Sequence, residues 1–188
     1  MEGLKQMKTG QAAAIPKIVA DSGKTAFIID RSNILGTFFN YSAQICSVAG
    51  MIIENAMQGK QEDPAEIGDK MRQAYVTGCK HGKLVVFRFG QAIPARLEKY
   101  MGTGDQQFNA DVIFDPSKNK ERKNFAKIVK KEEDFDRFGG KELYPSDDFI
   151  ACVLCEASED DTVKEIIKDA KAKFPNFDAM FEVYENNN

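Results

Sequence analysis

The chain has 188 residues, 43% of them apolar and 29% charged, which suits one globular domain with material for a real core. Its 29 acids against 26 bases leave a formal charge of -3, so no overall basic field draws nucleic acid. No apolar run reaches the roughly 18 residues of a membrane span, and residues 1–17 lack the apolar centre of a secretory signal. The expected setting is therefore cytoplasmic.

Taken in order, residues 1–16 read as a flexible N-terminal arm of small and polar residues, and residues 17–184 as a single α/β domain. Ala26 to Asp30 is a continuous apolar run ending in an acid, the pattern of a buried strand. In "NYSAQICSVAGMIIENAMQGK", Ile45, Val48, Ile52 and Ala56 recur at helical spacing, which predicts a helix. The clearest helix follows. Asp63 is a good N-cap, Pro64 suits the first helical position, and Glu66 stands three residues past the cap. Ile67, Met71, Ala74, Tyr75 and Cys79 form its apolar stripe, and Gly82 is a left-handed terminator.

"KLVVFRFG" is a second core strand interrupted by Arg88, and Pro94 to Glu98 begins a short helix. From about residue 102 to 144 the chain becomes a charged insertion broken by Gly102, Gly104, Gly139 and Gly140. "DDFIACVLCEAS" is the third strong strand. Ser158 is expected to cap a last helix, with acids in its first turn, lysines in its last and Pro175 as its stop. "DAMFEVYENNN" adds a closing strand, and residues 185–188 read as a flexible tail. Strands alternating with helices, each strand apolar throughout, imply a parallel sheet with helices on both faces.

Several stretches could carry chemistry. Gly23-Lys24-Thr25 matches the end of a phosphate loop, G-x-x-x-x-G-K-[ST], but the first glycine of that motif would fall on Ile18. A strand also follows Thr25, where a phosphate needs the N–H groups of a helix N-terminus. A small nucleotide-dependent phosphotransferase using Lys24 and Thr25 is the alternative this triplet leaves open. Cys152 and Cys155 form a C-x-x-C, but residues three apart in a strand point to opposite faces. Two buried thiols are therefore expected, with a redox pair or zinc site as the rival. His81, the lone histidine, sits at a helix end and suits that helix dipole. Asp30 lies where α/β sheets place ligand-binding acids, though Arg31 beside it suggests a simple surface pair.

Three pieces in order carry a resemblance. "TAFIIDRSNILGTFF" resembles P-L-x-I-D-P-Q-x-Q-A-x-x-W, and "MRQAYVTGCKHGKLVVFRFGQAIPARLEKYM" resembles L-E-x-A-I-x-x-G-x-P-V-L-L-E-N-V-x-E-x-L-D-P-x-L. "KELYPSDDFIACVLCEASEDDTV" resembles Y-N-P-x-F-R-L-Y-L-T-T-K-L. These are segments of the dynein heavy chain around its fifth AAA+ module, and the order holds from about residue 26 to 163. The resemblance implies a P-loop NTPase/AAA+-like fold and a setting in a ciliary or flagellar axoneme. It departs where ATP chemistry would sit. The acidic and amide pair that ends the family strand is replaced around Phe87, Arg88 and Phe89, and Thr-Thr by Leu154-Cys155. A carboxylate is needed at the first of these places to hold Mg²⁺, and Arg88 would repel the ion.

The expectation is thus a non-catalytic, stand-alone structural or binding module, with no cofactor, metal or catalytic residue, whose partners are other proteins of a large cytoskeletal assembly. No nucleic acid or membrane partner is expected. Its docking surface is expected in residues 117–141, where seven basic residues from Lys118 to Lys131 precede Glu132, Glu133, Asp134 and Asp136. Phe125, Ile128, Phe135 and Phe138 would be its anchors. The same apolar residues could instead pack on the chain's own core.

Overall fold

A computed structural model of the chain describes residues 4–94, 96–102, 108–135, 142–174, 177 and 181–187. Six strands form one all-parallel sheet in the order β1-β6-β2-β5-β4-β3. They are β1 (Lys5–Lys8), β2 (Thr25–Asp30), β3 (Gln44–Ser47), β4 (Leu84–Gly90), β5 (Ile150–Glu156) and β6 (Phe181–Asn187). The helices are α1 (Ile15–Ser22), α2 (Leu35–Ser42), α3 (Val48–Met57), α4 (Pro64–His81), α5 (Ala110–Ile113), α6 (Arg122–Phe125) and α7 (Asp160–Lys173). Among the described residues, no helix is long and apolar enough to cross a membrane.

The two central strands are buried on both faces, which is why they read as unbroken apolar runs. On one face Ala26, Ile28, Cys152 and Leu154 meet Ile15 and Val19 of α1 and Leu35 and Phe39 of α2. On the other, Phe27, Ile29, Val153 and Cys155 meet α4 and Val163, Ile166 and Ala170 of α7. That second face carries much of the aromatic bulk. Phe114 stands edge-on to both Phe87 and Phe174, with ring centroids 5.4 Å apart in each pair.

The strong sequence signals hold. Asp63 Oδ1 accepts from the N–H groups of Ala65 and Glu66, α4 runs from Pro64 to His81, and Gly82 ends it at φ 61°. All five residues of the predicted stripe are buried. α7 has Asp160 and Asp161 in its first turn and Lys171 and Lys173 in its last. Its N-cap position is Glu159 rather than Ser158, with no side-chain cap bond. Pro175 lies outside the described residues.

The weak signals needed correcting. The supposed N-terminal arm is a strand, a 3-10 turn (Thr9–Ala14) and the start of α1. β1 pairs with β6, and Met7, Ala12 and Ile15 are buried. Residues 44–47 are strand rather than helix, and helix begins only at Val48, where Ser47 Oγ accepts from Gly50 N–H. The short helix predicted from Pro94 is a single 3-10 turn, Leu97–Lys99. The expected flexible tail is part of β6 as far as Asn187, and Asn186 is fully buried.

The largest correction concerns the charged insertion. Phe125 and Ile128 lie in the main core at 0% and 1% exposure, so they cannot serve as free anchors. Lys130, Glu133 and Asp134, which follow them, are paired within the chain. Arg72 of α4, 1% exposed, makes two bonds of 2.6 and 2.8 Å to Glu133 and one of 2.9 Å to Asp69, and Lys130 reaches the same Asp69 at 2.8 Å. Tyr75 donates its buried hydroxyl to Asn119 O at 2.6 Å. Phe135 is half-exposed, with Lys80 over its ring. Phe138, Gly139 and Gly140 lie outside the described residues. The described part of the segment, through Phe125 and Ile128, packs on its own core.

Candidate functional site

In an open parallel sheet, ligands bind outside the carboxyl ends of the strands where successive connections depart in opposite directions. Here that point lies between β2 and β5. From β2 the chain crosses through α2 to β3 at one edge, and from β5 it crosses through α7 to β6 on the other side of β2. β2 ends in Asp30 and β5 in Glu156, opposite one another in register. Beside them β4 is interrupted by a bulge between Arg88 and Gly90.

Asp30 is fully buried. Its Oδ2 accepts from Leu35 N–H at 2.7 Å, and its Oδ1 accepts from Ser32 N–H at 3.1 Å, Ser32 Oγ at 2.8 Å and Asn186 Nδ2 at 3.2 Å. To bring Leu35 N–H onto this carboxylate the chain turns through Asn33, a non-glycine residue at φ 56°. Asparagine tolerates that left-handed conformation better than most residues. Asp30 therefore occupies the N-terminus of α2, where the free N–H groups and helix dipole would otherwise take a phosphate. The expected surface pair between Asp30 and Arg31 does not form.

Arg31 turns the other way. Its NH2 pairs with Asp160 at 2.7 Å, its NH1 donates to Ser158 O at 3.0 Å, and its Nε pairs with Glu185 of β6. Burial works against the Arg31 charge, but Asp160 and Glu185 more than offset it and raise its pKa. Arg88 pairs with Glu156 at 2.6 Å. Gly36 makes room for this pair, because a Cβ there would lie 3.3 Å from Glu156 Oε1 and 3.5 Å from Arg88 Cζ. The Asn186 side chain bridges Asp30, Ser32 and Thr9. The crevice is lined by side chains that are bonded to one another. It holds two guanidinium groups and the four carboxylates of Asp30, Glu156, Asp160 and Glu185, an excess of acid that opposes an anionic ligand. Among the described residues, no group of three or more His, Cys, Asp and Glu side chains is placed to share a metal ion.

Lys24 and Thr25 stand at the opposite end of β2, about 17 Å away along five strand steps. Gly23 is the left-handed C-cap of α1 at φ 64°, donating to Val19 O, and β2 begins at Thr25. The triplet is thus a helix-to-strand turn. Thr25 is fully buried, closed off from a substrate. His81 is exposed at the end of α4.

Cys152 and Cys155 project to opposite faces of β5, one into each core. Burial pushes the Cys152 thiol up to about 12 and raises that of Cys155 as well. Alkylation of the folded protein should be slow at both sites, and mild oxidation should form no disulfide between them. Mass spectrometry after timed alkylation checks this, and fast loss of both thiols would restore the redox reading.

The sequence pointed to Asp30 and Arg88, but not to Glu185 or Asn186, which looked like a polar tail. The signal available was Phe181, Val183 and Tyr184 at the start of that segment, whose continuation as a strand delivers both residues to the crevice. Compared with known proteins, this chain matches no protein-family model, no curated protein and no solved structure.

Proposed function

We propose that this chain is a non-catalytic AAA+-like module that works by binding other proteins, in the setting of a ciliary or flagellar axoneme. The observation that carries the non-catalytic reading is Asp30, whose carboxylate fills the anion position at the N-terminus of α2. The Arg88–Glu156 pair supports it by placing a cation where a P-loop enzyme needs a metal-holding carboxylate. Support for the AAA+-like reading comes from where the three dynein-like stretches fall. The first begins on β2, the second runs along α4 into β4, and the third runs through β5 into the first turn of α7, so they share the contiguous strands β2-β5-β4. An all-parallel sheet with helices on both faces agrees with that fold type. The axonemal setting rests on the dynein resemblance.

Two measurements test the two halves separately. Titration calorimetry with MgATP should show no binding in the micromolar range, and saturable binding lost in Lys24→Ala would favour the phosphotransferase instead. An epitope-tagged chain in its native cells should sediment with detergent-extracted axonemes. Recovery wholly in the extract would overturn the axonemal setting while leaving the nucleotide result standing.

A further inference from the structure

Ser158 is expected from the sequence to cap α7, yet the structure leaves its side chain without that task. The residue is exposed, and the N-cap position belongs to Glu159. Among the described residues, the Ser158 hydroxyl reaches one acceptor, Glu159 Oε1, at 3.5 Å. Of the seven serines in the chain, it alone is followed by three acids in succession, Glu159, Asp160 and Asp161. All three are exposed, and the side chains of Asp160 and Asp161 keep 70% and 94% of their accessibility. The dipole of α7 accounts for acids in its first turn. It does not account for a free hydroxyl immediately before them. Charge patterns beside the acceptor are one way protein kinases choose their serines. Acids directly after an exposed serine fit a kinase with a basic substrate groove.

A cation already stands at this serine. Arg31 NH1 donates to Ser158 O at 3.0 Å, and its NH2 meets Asp160 at 2.7 Å. The N-terminus of α7 has no side-chain cap bond, so the N–H groups of its first turn are not taken by the residue before them. A phosphate on Ser158 Oγ therefore forms beside a guanidinium and a helix N-terminus, both of which favour it. The excess of acid in the crevice opposes a free anion, but a covalently attached phosphate has no binding equilibrium to satisfy. Asp160 is mostly solvated and loses little by giving up Arg31.

We propose that Ser158 is a phosphorylation site for a protein kinase that reads acids after its target serine, and that the phosphate replaces Asp160 as the partner of Arg31. In the transfer, Ser158 Oγ attacks the γ-phosphorus of the kinase's MgATP. The Oγ–P bond forms as the bond from that phosphorus to the β–γ bridging oxygen breaks. ADP leaves with the electron pair, and the serine proton passes to the kinase's catalytic carboxylate. Access requires the first turn of α7 to unwind, while β5 before the serine stays paired, because the acids that are read lie after Ser158. A helix end without a side-chain cap is the kind of segment that opens at small cost. The site is independent of whether the fold is AAA+-like, and its failure would leave the nucleotide and axoneme results untouched.

Incubating the folded full chain with MgATP and a purified acid-directed serine kinase should add one phosphate per chain, mapped to Ser158 by tandem mass spectrometry. Ser158→Ala should abolish incorporation. Asp161→Asn alters an exposed position, should keep the parent's far-UV spectrum, and should slow phosphorylation about tenfold. In the phosphorylated chain, phosphorus NMR should place the second ionisation of the phosphate at lower pH when folded than after unfolding in urea. Arg31 and the α7 N-terminus favour the dianion only in the folded chain. No incorporation by a kinase that is active on an acidic serine peptide overturns the proposal. So does incorporation that requires prior unfolding, falls on other residues, or is as fast in Asp161→Asn as in the parent. A second ionisation that is unmoved or raised on folding overturns the replacement of Asp160 at Arg31.

Discussion

Replacing Asp30 by alanine should destabilise the protein by about 3–5 kcal/mol, read as a fall in the urea midpoint with an unchanged slope. The carboxylate is fully buried and accepts four hydrogen bonds from three residues. Hydrogen bonds to a charged group contribute about 1.5–3 kcal/mol each, and bonds sharing one acceptor group fall short of additivity. Alanine leaves Leu35 N–H without an acceptor and removes the cap of α2. It also loosens the contact between β2 and the chain's own C-terminal strand, since Asn186 loses one of its three partners. Asp30→Asn should cost less, because one oxygen survives, yet its amide must then face a donor at either Leu35 or Asn186. A loss below about 1 kcal/mol in Asp30→Ala would mean that water replaces the carboxylate, and the filled anion position would lose its force as an argument.

Which parts of the molecule were legible in the sequence follows from how each part is stabilised. The central strands and α4 were readable because their pattern is dictated by burial: five of the seven residues of β5 are buried, and the stripe of α4 repeats at helical spacing. The edge strands were not. β1 and β3 are four residues long and touch the core through Met7 and Cys46, too little to set up a period. Asn186 was hidden because its stability comes from hydrogen bonds to residues 30, 32 and 9, which nothing local announces. The crevice was half legible. Asp30 and Arg88 stood out as charges at the ends of apolar runs, but Asn186 and Glu156, which meet them, come from other strands. Arg31 bonds across 127 residues to Ser158. Composition made the insertion look like a solvated dipole, whereas Arg122, Lys130, Glu133 and Asp134 are paired within the chain.

The insertion's true role gives the last expected result, Arg72→Met. A clue stood in the sequence: Arg72 falls three residues before Tyr75 and four after Gly68, within the stripe that α4 buries. Its guanidinium meets Glu133 through two bonds, Asp69 through one, and Ile128 O at 3.4 Å, so it ties α4 to residues 128–133. Removing one partner of a buried pair costs about 3–5 kcal/mol when both charges are inaccessible. Glu133 and Asp69 retain 26% and 34% of their side-chain exposure, so water relieves part of this and about 3 kcal/mol is expected. The pH dependence identifies the mechanism. Burial pushes the Asp69 pKa upward, but the bonds from Lys130 and Arg72 outweigh it and hold the group at about 2. Arg72 likewise holds Glu133 below its usual value. Folded-state pKa values below the unfolded ones mean that this stability is fully present above the ordinary carboxylate range. It is lost as pH falls through that range toward about 2. Arg72→Met should therefore be weakest relative to the parent near neutrality, and the two should converge in acid. Urea unfolding across pH 7 to pH 3, a window of roughly one carboxylate titration, checks both the magnitude and the convergence. A difference that stays constant over that window would mean that Arg72 acts through the packing of its stem alone. Restoring neutrality with Arg72→Met, Glu133→Gln should then recover nothing, whereas the ion-pair account expects the double variant to regain part of the loss.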